Sequence, residues 1–181
     1  MPPTLIATRP DAGEYHPYYD RYVSLIPSPD VLSTLSRQIR DSLDALSALT
    51  EEQSNFRYAP DKWSIKELVG HVIDTERIMA YRALRIARND KTPLPGFEQD
   101  DYVRCGPFSQ CQLKDLLEEL GHVRGANLCM FRSLNAEAWA RRGTVDNNEI
   151  SVRALAYIIA GHELHHRNVL RDRYLSVMKG L

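Results

Sequence analysis

Two histidines four residues apart, His162 and His166, are the side chains in this sequence best suited to chemistry. At about 100° per residue they fall near the centre of an apolar helical stripe made by Leu155, Ile158, Ile159, Val169 and Leu170. Their i, i+4 spacing stacks both imidazoles on one face, which suits two neutral nitrogens on one divalent ion. Satisfied core histidines are the ordinary alternative. Two adjacent inward imidazoles must each find a partner, however, and an unpaired buried polar group costs roughly 1 to 3 kcal/mol. A shared ion serves both. His71, from a different helix, is the third candidate ligand. It projects roughly 120° from the centre of that helix's apolar stripe, which puts it on an edge facing a neighbouring helix and within reach of solvent. Imidazole does not choose sharply among Zn, Ni, Fe and Mn.

Other polar residues surround this set. Glu76 falls near the centre of its helix's stripe, beside Val72, Met79 and Ala83, where a carboxylate needs a partner. It can be a metal ligand, an acceptor for an imidazole N–H, or half of a buried ion pair, the last being the most ordinary. Glu67 and Asp74, four residues before and three after His71, can orient its ring or simply lie on a solvated face. His165 is off its stripe and is expected at a pocket rim or the surface. Arg82 and Arg85 lie near the His71 side and can bind a substrate carboxylate, although a surface charge row is the commoner explanation. His162-Glu163-Leu164-His165-His166 satisfies the zinc-peptidase pattern H-E-x-x-H literally. Such a peptidase needs a further ligand, commonly downstream. Only fifteen residues follow His166, Asp172 is the one acidic residue among them, and no strand edge is evident to hold a peptide.

The elements that must position these groups are helical. Asp30 is the expected cap of a helix over about 31–50, with Val31, Leu32, Leu35, Ile39, Leu43 and Leu46 near one face. Ser64-Ile65-Lys66-Glu67 has the capping-box form and opens a second helix to about Asn89. Pro93, Pro95 and Gly96 stop it and begin a long link over 90–108 that carries Phe97, Asp100, Asp101 and Tyr102. Ser109 is expected to cap a third helix to about Leu134, and Ser151 a fourth to about Met178, after a turn-rich stretch at 143–149. No segment alternates persistently as a strand would. The pattern predicts an all-α four-helix bundle, a single domain over 1–181. Six prolines before residue 30 make 1–29 an arm with short turns, which its cluster Tyr15, Tyr18, Tyr19 and Tyr22 packs onto the body.

Of 181 residues 43% are hydrophobic, enough for one real core, and 23 basic residues nearly balance 24 acidic ones. That balance gives no general pull toward nucleic acid or anionic lipid. Cys105, Cys111 and Cys129 are too few and too irregularly spaced for a disulfide framework, and read as reduced thiols. With no apolar run long enough to span a bilayer and no secretory leader, the chain is expected in the cytoplasm.

Longer stretches carry a resemblance. Lys62-Trp63-Ser64-Ile65-Lys66-Glu67, then Gly70-His71-Val72-Ile73-Asp74-Thr75-Glu76-Arg77 and Tyr81-Arg82-Ala83-Leu84-Arg85, resemble the DinB-like family. So do Pro93-Leu94-Pro95-Gly96-Phe97 with Asp100, Asp101 and Tyr102, and Tyr157 through His166. The resemblance implies an up-down-up-down bundle in which His71, His162 and His166 bind a metal. It also implies a fold like that of the bacillithiol and mycothiol S-transferases, hence a metal-dependent transferase or hydrolase acting on a small molecule, with a low-molecular-weight thiol as a potential co-substrate. A non-catalytic metal-binding bundle is the alternative, and a homodimer is in keeping with such folds.

Overall fold

Four capped helices carry the fold in the computed structural model, which describes residues 8–178. Residues 1–7 of the expected arm and 179–181 lie outside the described residues. Helix α1 (Val31–Ser47) starts where the Ser33 amide donates to the Asp30 carboxylate at 3.0 Å. Helix α2 (Ile65–Ala87) opens with the expected capping box: the Glu67 amide donates to Ser64 Oγ at 3.2 Å, and the Ser64 amide donates back to the Glu67 carboxylate at 2.7 Å. Two residues past its end, Asn89 takes a left-handed φ of 63° and turns the chain away. Helix α4 (Val152–Val169) starts on Ser151, whose hydroxyl accepts from the Ala154 amide at 3.0 Å, and continues through a π-helical turn at Leu170–Leu175. Helix α3 (Leu113–Arg132) departs from expectation at its start. Ser109 lies in a separate turn, Phe108–Gln110, and the first α3 amide, of Leu113, instead donates to the Glu51 carboxylate at 3.0 Å. The cap comes from a distant segment, which no local motif could announce.

These helices form a four-helix bundle, with directions that differ from the alternation the resemblance implied. One core cluster joins Val31 and Leu35 of α1, Met79 to Ala87 of α2, Leu128 and Phe131 of α3, and Val152 to Ala160 of α4. The second joins Leu46 of α1, Ile65 to Ile73 of α2, Leu113 to Leu120 of α3, and Leu170 just beyond α4. Helices α1 and α4 therefore run from the first cluster to the second, and α2 and α3 both run back. The order is up-down-down-up. Its physical cause is the long link after α2. Leu94 is buried in the first cluster and Phe108 in the second, so the link returns the length of the bundle before α3 begins. Both α1 and α2 pack along α3 and along α4, so His71 on α2 faces the α4 histidines directly.

The return from α3 to α4 contains the other departure, a β-hairpin. Strands β1 (Arg142–Val145) and β2 (Asn148–Ser151) pair antiparallel, Val145 opposite Asn148, around Asp146 and Asn147 with φ of 47° and 60°. Two successive positive φ values make the tight turn whose twist suits a hairpin. Four-residue strands are too short to leave persistent alternation, yet Val145 and Ile150 are buried and join the first core cluster.

The arm wraps the bundle in short helical turns, Ala12–Glu14, Pro17–Tyr19 and Asp20–Val23, and buries Tyr15, Tyr22, Val23 and Ile26. Arg153 of α4 anchors it: its Nε donates to Glu14 Oε2 at 2.7 Å. Burial pushes the Glu14 carboxyl up, but the hydrogen bonds from Arg153, Ser151 and the Asp11 amide outweigh it and hold the pKa at about 2. A carboxyl depressed from 4.5 stabilises the fold above that pH and loses the contribution as pH falls toward about 2. Acid unfolding of the wild type should therefore include a loss across this window that is absent from Glu14→Gln. Identical pH dependence of the two melting temperatures would contradict it.

Candidate metal centre

Helices α2 and α4 bring the three histidines together. His71 Nε2 lies 2.9 Å from His162 Nε2, and His166 Nε2 lies 3.2 Å from the same atom. The prospective ligand atoms are all within 4.8 Å of one another. His71 is 2% exposed and His162 5%, so the edge expected to reach solvent at His71 is mostly covered. Trp63 packs on one side at a ring separation of 4.8 Å and α4 on another, while a remaining edge borders a cavity. Tyr22 of the arm stands edge-on to His162 at 5.3 Å. Gly161 permits that approach, because a Cβ there would meet the Tyr22 carbonyl.

Burial sets the charge state. It pushes His71 down to about 4 and holds His162 and His166 well below the ordinary range, with the neighbouring histidines adding to the shift. At neutral pH all three rings are uncharged, with a nitrogen lone pair to offer. A single ring nitrogen carries one proton or one in-plane lone pair, so His162 Nε2 cannot hydrogen-bond both neighbours well. The donor set is frustrated as a hydrogen-bond cluster and suited to a cation. Tetrahedral coordination with bonds of about 2.0–2.1 Å sets ligand nitrogens roughly 3.3 Å apart. The two separations to His162 Nε2 are near that, and the whole set spreads to 4.8 Å, so His71 and His166 would draw together around an ion. With Nε2 turned inward, the proton belongs on Nδ1. His166 Nδ1 is buried and has no hydrogen-bond partner.

A cavity of about 520 Å³ opens onto this cluster. His71, Thr75, Met79 and Arg82 of α2 form one wall, Tyr19 and Tyr22 of the arm another, and Gly96 to Asp100 of the link and the hairpin turn close the rest. A second cleft of about 530 Å³ reaches His166 past Trp63 and Tyr174.

A profile of the DinB superfamily matches residues 34–170, from the first turn of α1 to just past α4. The chain belongs to the DinB superfamily. It is 26% identical over 125 residues to a protein of Oceanobacillus iheyensis provisionally named a metal-dependent hydrolase, a span of 68% of this chain and 71% of that one. YfiT from Bacillus subtilis, described as a probable metal-dependent hydrolase with an unusual four-helix bundle topology, superposes with a TM-score of 0.64. The superposition covers 88% of this chain and 94% of YfiT at 16% identity, a likeness of fold.

Around the histidines of this DinB superfamily member, the other polar residues divide sharply. Glu76 is half of a buried ion pair: Arg124 of α3 grips it with two hydrogen bonds of 2.7 and 2.8 Å. The same guanidinium donates to Glu163 at 2.6 Å and to the Leu35 carbonyl at 2.9 Å, while Ser42 Oγ donates to Glu163 at 2.5 Å. Arg124 went unrecognised in the sequence. It sits where the spacing of Leu116, Leu120, Leu128 and Phe131 requires an apolar residue, which is the signal that would have found it. Glu67 serves the α2 cap and pairs with Arg57. Asp74 is half-buried, its carboxyl pushed up by that burial, and makes no hydrogen bond to His71 among the described residues. His165 packs against Tyr22 and His166 and does not line the cavity. Tyr102 is 46% exposed against Phe97, outside the cavity. Arg85 pairs with Asp90 and Tyr81 on the surface, whereas Arg82 is buried in the cavity wall. His16, whose Nδ1 accepts from the Tyr18 amide at 3.2 Å, also lines the cavity. No helix among the described residues is long and apolar enough to cross a membrane.

Proposed function

We propose that this chain holds one divalent metal ion on the Nε2 atoms of His71, His162 and His166 and hydrolyses a small molecule in the adjoining cavity. The observation that carries the reading is the convergence of two imidazole nitrogens on His162 Nε2, at 2.9 and 3.2 Å, among buried, uncharged rings. Bound there, a divalent ion supplies Lewis acidity and lowers the pKa of water into the neutral range. Three protein ligands leave coordination positions free, the pattern of catalytic rather than structural sites. The cavity at His71 and His162 favours catalysis over an ion that only ties α2 to α4.

The peptidase alternative loses its base, because Glu163 of the H-E-x-x-H string is held by Arg124 and Ser42. A thiol in place of water would make the same site an S-transferase; the hydrolase names of the O. iheyensis protein and of YfiT favour water.

Metal analysis tests the ligands. Wild type should carry about one ion per chain and His162→Ala almost none, with helical content retained. Equal metal in both would refute the assignment. Wild type reloaded with Zn, Ni, Fe or Mn should then hydrolyse members of an ester and amide panel, with a thiol-transfer panel run beside it. Metal uptake without turnover on either panel would leave the non-catalytic bundle standing.

A further inference from the structure

Four α2 residues, His71, Thr75, Met79 and Arg82, share one helical face at spacings of four, four and three, and all line the cavity of about 520 Å³. Two of them have polar capacity that the protein leaves unused. Thr75 is 4% exposed and its Oγ1 has no hydrogen-bond partner, although a helical threonine ordinarily bonds back to the preceding turn. Arg82 is 3% exposed, and the groups that receive its hydrogen bonds are neutral: the Pro95 carbonyl at 2.7 Å, Met79 Sδ at 3.4 Å, and Tyr19. Asp146 acts on it only through space. A buried guanidinium with no direct counter-ion, about two turns from an unpartnered hydroxyl on the same helical face, is expensive unless something else supplies the anion.

We propose that the cavity recognises its substrate by a carboxylate, which Arg82 binds through its free N–H groups and Thr75 through its hydroxyl, with the reacting group extended toward the three histidines. The inference rests on the metal reading only for where the reaction occurs. Helical side chains lean toward the N-terminus, and the Arg82–Met79 contact shows that lean, so the guanidinium points toward His71. His71 and Arg82 are separated by about 16 Å of helix axis, which the arginine's reach shortens to roughly 10 Å. The substrate is therefore elongated, with its reacting bond several atoms from the carboxylate. A monoanion fits better than a phosphate ester. Arg82 is the one Lys or Arg among the residues lining the cavity, while Glu98, Asp100, Asp146 and Glu149 stand around it and repel a polyanion. Tyr19 and Phe97 offer ring surface to an apolar stem between the two ends.

Isothermal titration calorimetry of metal-stripped, full-length protein with 3-phenylpropionate and its neutral amide, 3-phenylpropionamide, tests this. The acid should bind about tenfold more tightly than the amide, as expected for a charge-assisted pair. Arg82→Gln should abolish the preference. Thr75→Val is nearly isosteric and removes only an unpartnered hydroxyl, so it should weaken acid binding about threefold or more while leaving the melting temperature unchanged. That variant decides the matter even if Arg82→Gln fails to fold. Equal binding of acid and amide by the stripped wild type would overturn the proposal. So would an acid preference that appears only after zinc loading, because the carboxylate would then be binding the ion. A failed metal assignment is distinguishable, since it would leave the preference of the stripped protein intact.

Discussion

Arg124→Met is expected to lower the melting temperature by about 10 °C or more. Arg124 is fully buried, and its guanidinium is the counter-ion of two carboxylates, Glu76 at 2% and Glu163 at 3% exposure. Burial works against its positive charge, but the two carboxylates outweigh it and raise the arginine's pKa. Methionine fills comparable volume, so cavity formation is a minor part of the loss. What remains is two buried charges with only Ser42 and Asn127 to bond them. Removing one partner of a buried ion pair costs about 3 to 5 kcal/mol, and in a chain of this length each kcal/mol moves the midpoint by about 2–4 °C. Changing the carboxylates as well, in Arg124→Met/Glu76→Gln/Glu163→Gln, should restore at least half of the loss, because amides carry no charge to strand. If the triple variant melted no higher than the single one, the damage would lie in packing and the electrostatic account would be wrong. The same triad fixes helix register: one guanidinium touches α1 at Leu35, α2 at Glu76 and α4 at Glu163, and so holds His71 opposite His162.

That triad also marks where sequence reading stopped. His162 and His166 were legible because i, i+4 spacing within an apolar stripe is a one-helix property, and Glu76 was conspicuous for the same reason. The partner of Glu76 was not, since an ion pair between helices depends on which helices face each other. Helix order was hidden likewise. Periodicity in 65–87 and 113–132 is the same whether those helices run antiparallel or parallel; the length of the link, enough to return along the bundle, was the clue to the latter. Element existence followed from caps that are local, such as Ser64 with Glu67, and the start of α3 was missed because its cap, Glu51, is not. The hairpin at 142–151 escaped because four-residue strands leave little alternation, although Asp146-Asn147 is a pair that tolerates positive φ. Arg82 and Arg85 look alike in sequence, three residues apart on one helix. Only the link lying over Arg82 makes one a cavity wall and leaves the other a surface ion pair.

Gly161→Ala should destabilise the protein by about 2 to 4 kcal/mol, which reverses the sign ordinarily expected of that change. Within a helix interior alanine is favoured over glycine by about 1 kcal/mol, so propensity alone predicts a gain in α4. Contact opposes it: a Cβ at 161 would meet the carbonyl oxygen, carbonyl carbon and Cα of Tyr22, and backbone cannot swing aside as a flexible side chain can. Relief requires the arm to lift, which exposes Tyr22, Val23 and Ile26, now 7%, 0% and 2% exposed. Burial of such side chains is worth about 1.5 to 3 kcal/mol each, so a partial lift already outweighs the propensity gain. Two measurements separate the outcomes. The midpoint of chemical unfolding should fall, and trypsin should begin to cut at Arg21, within the short helix that the arm lays beside α4. Because Tyr22 also stands against His162, affinity for the proposed ion should fall with arm docking even though none of the three histidines is changed. A more stable Gly161→Ala protein with Arg21 still protected would mean that the arm accommodates the methyl group and that its contact with α4 is looser than the packing requires.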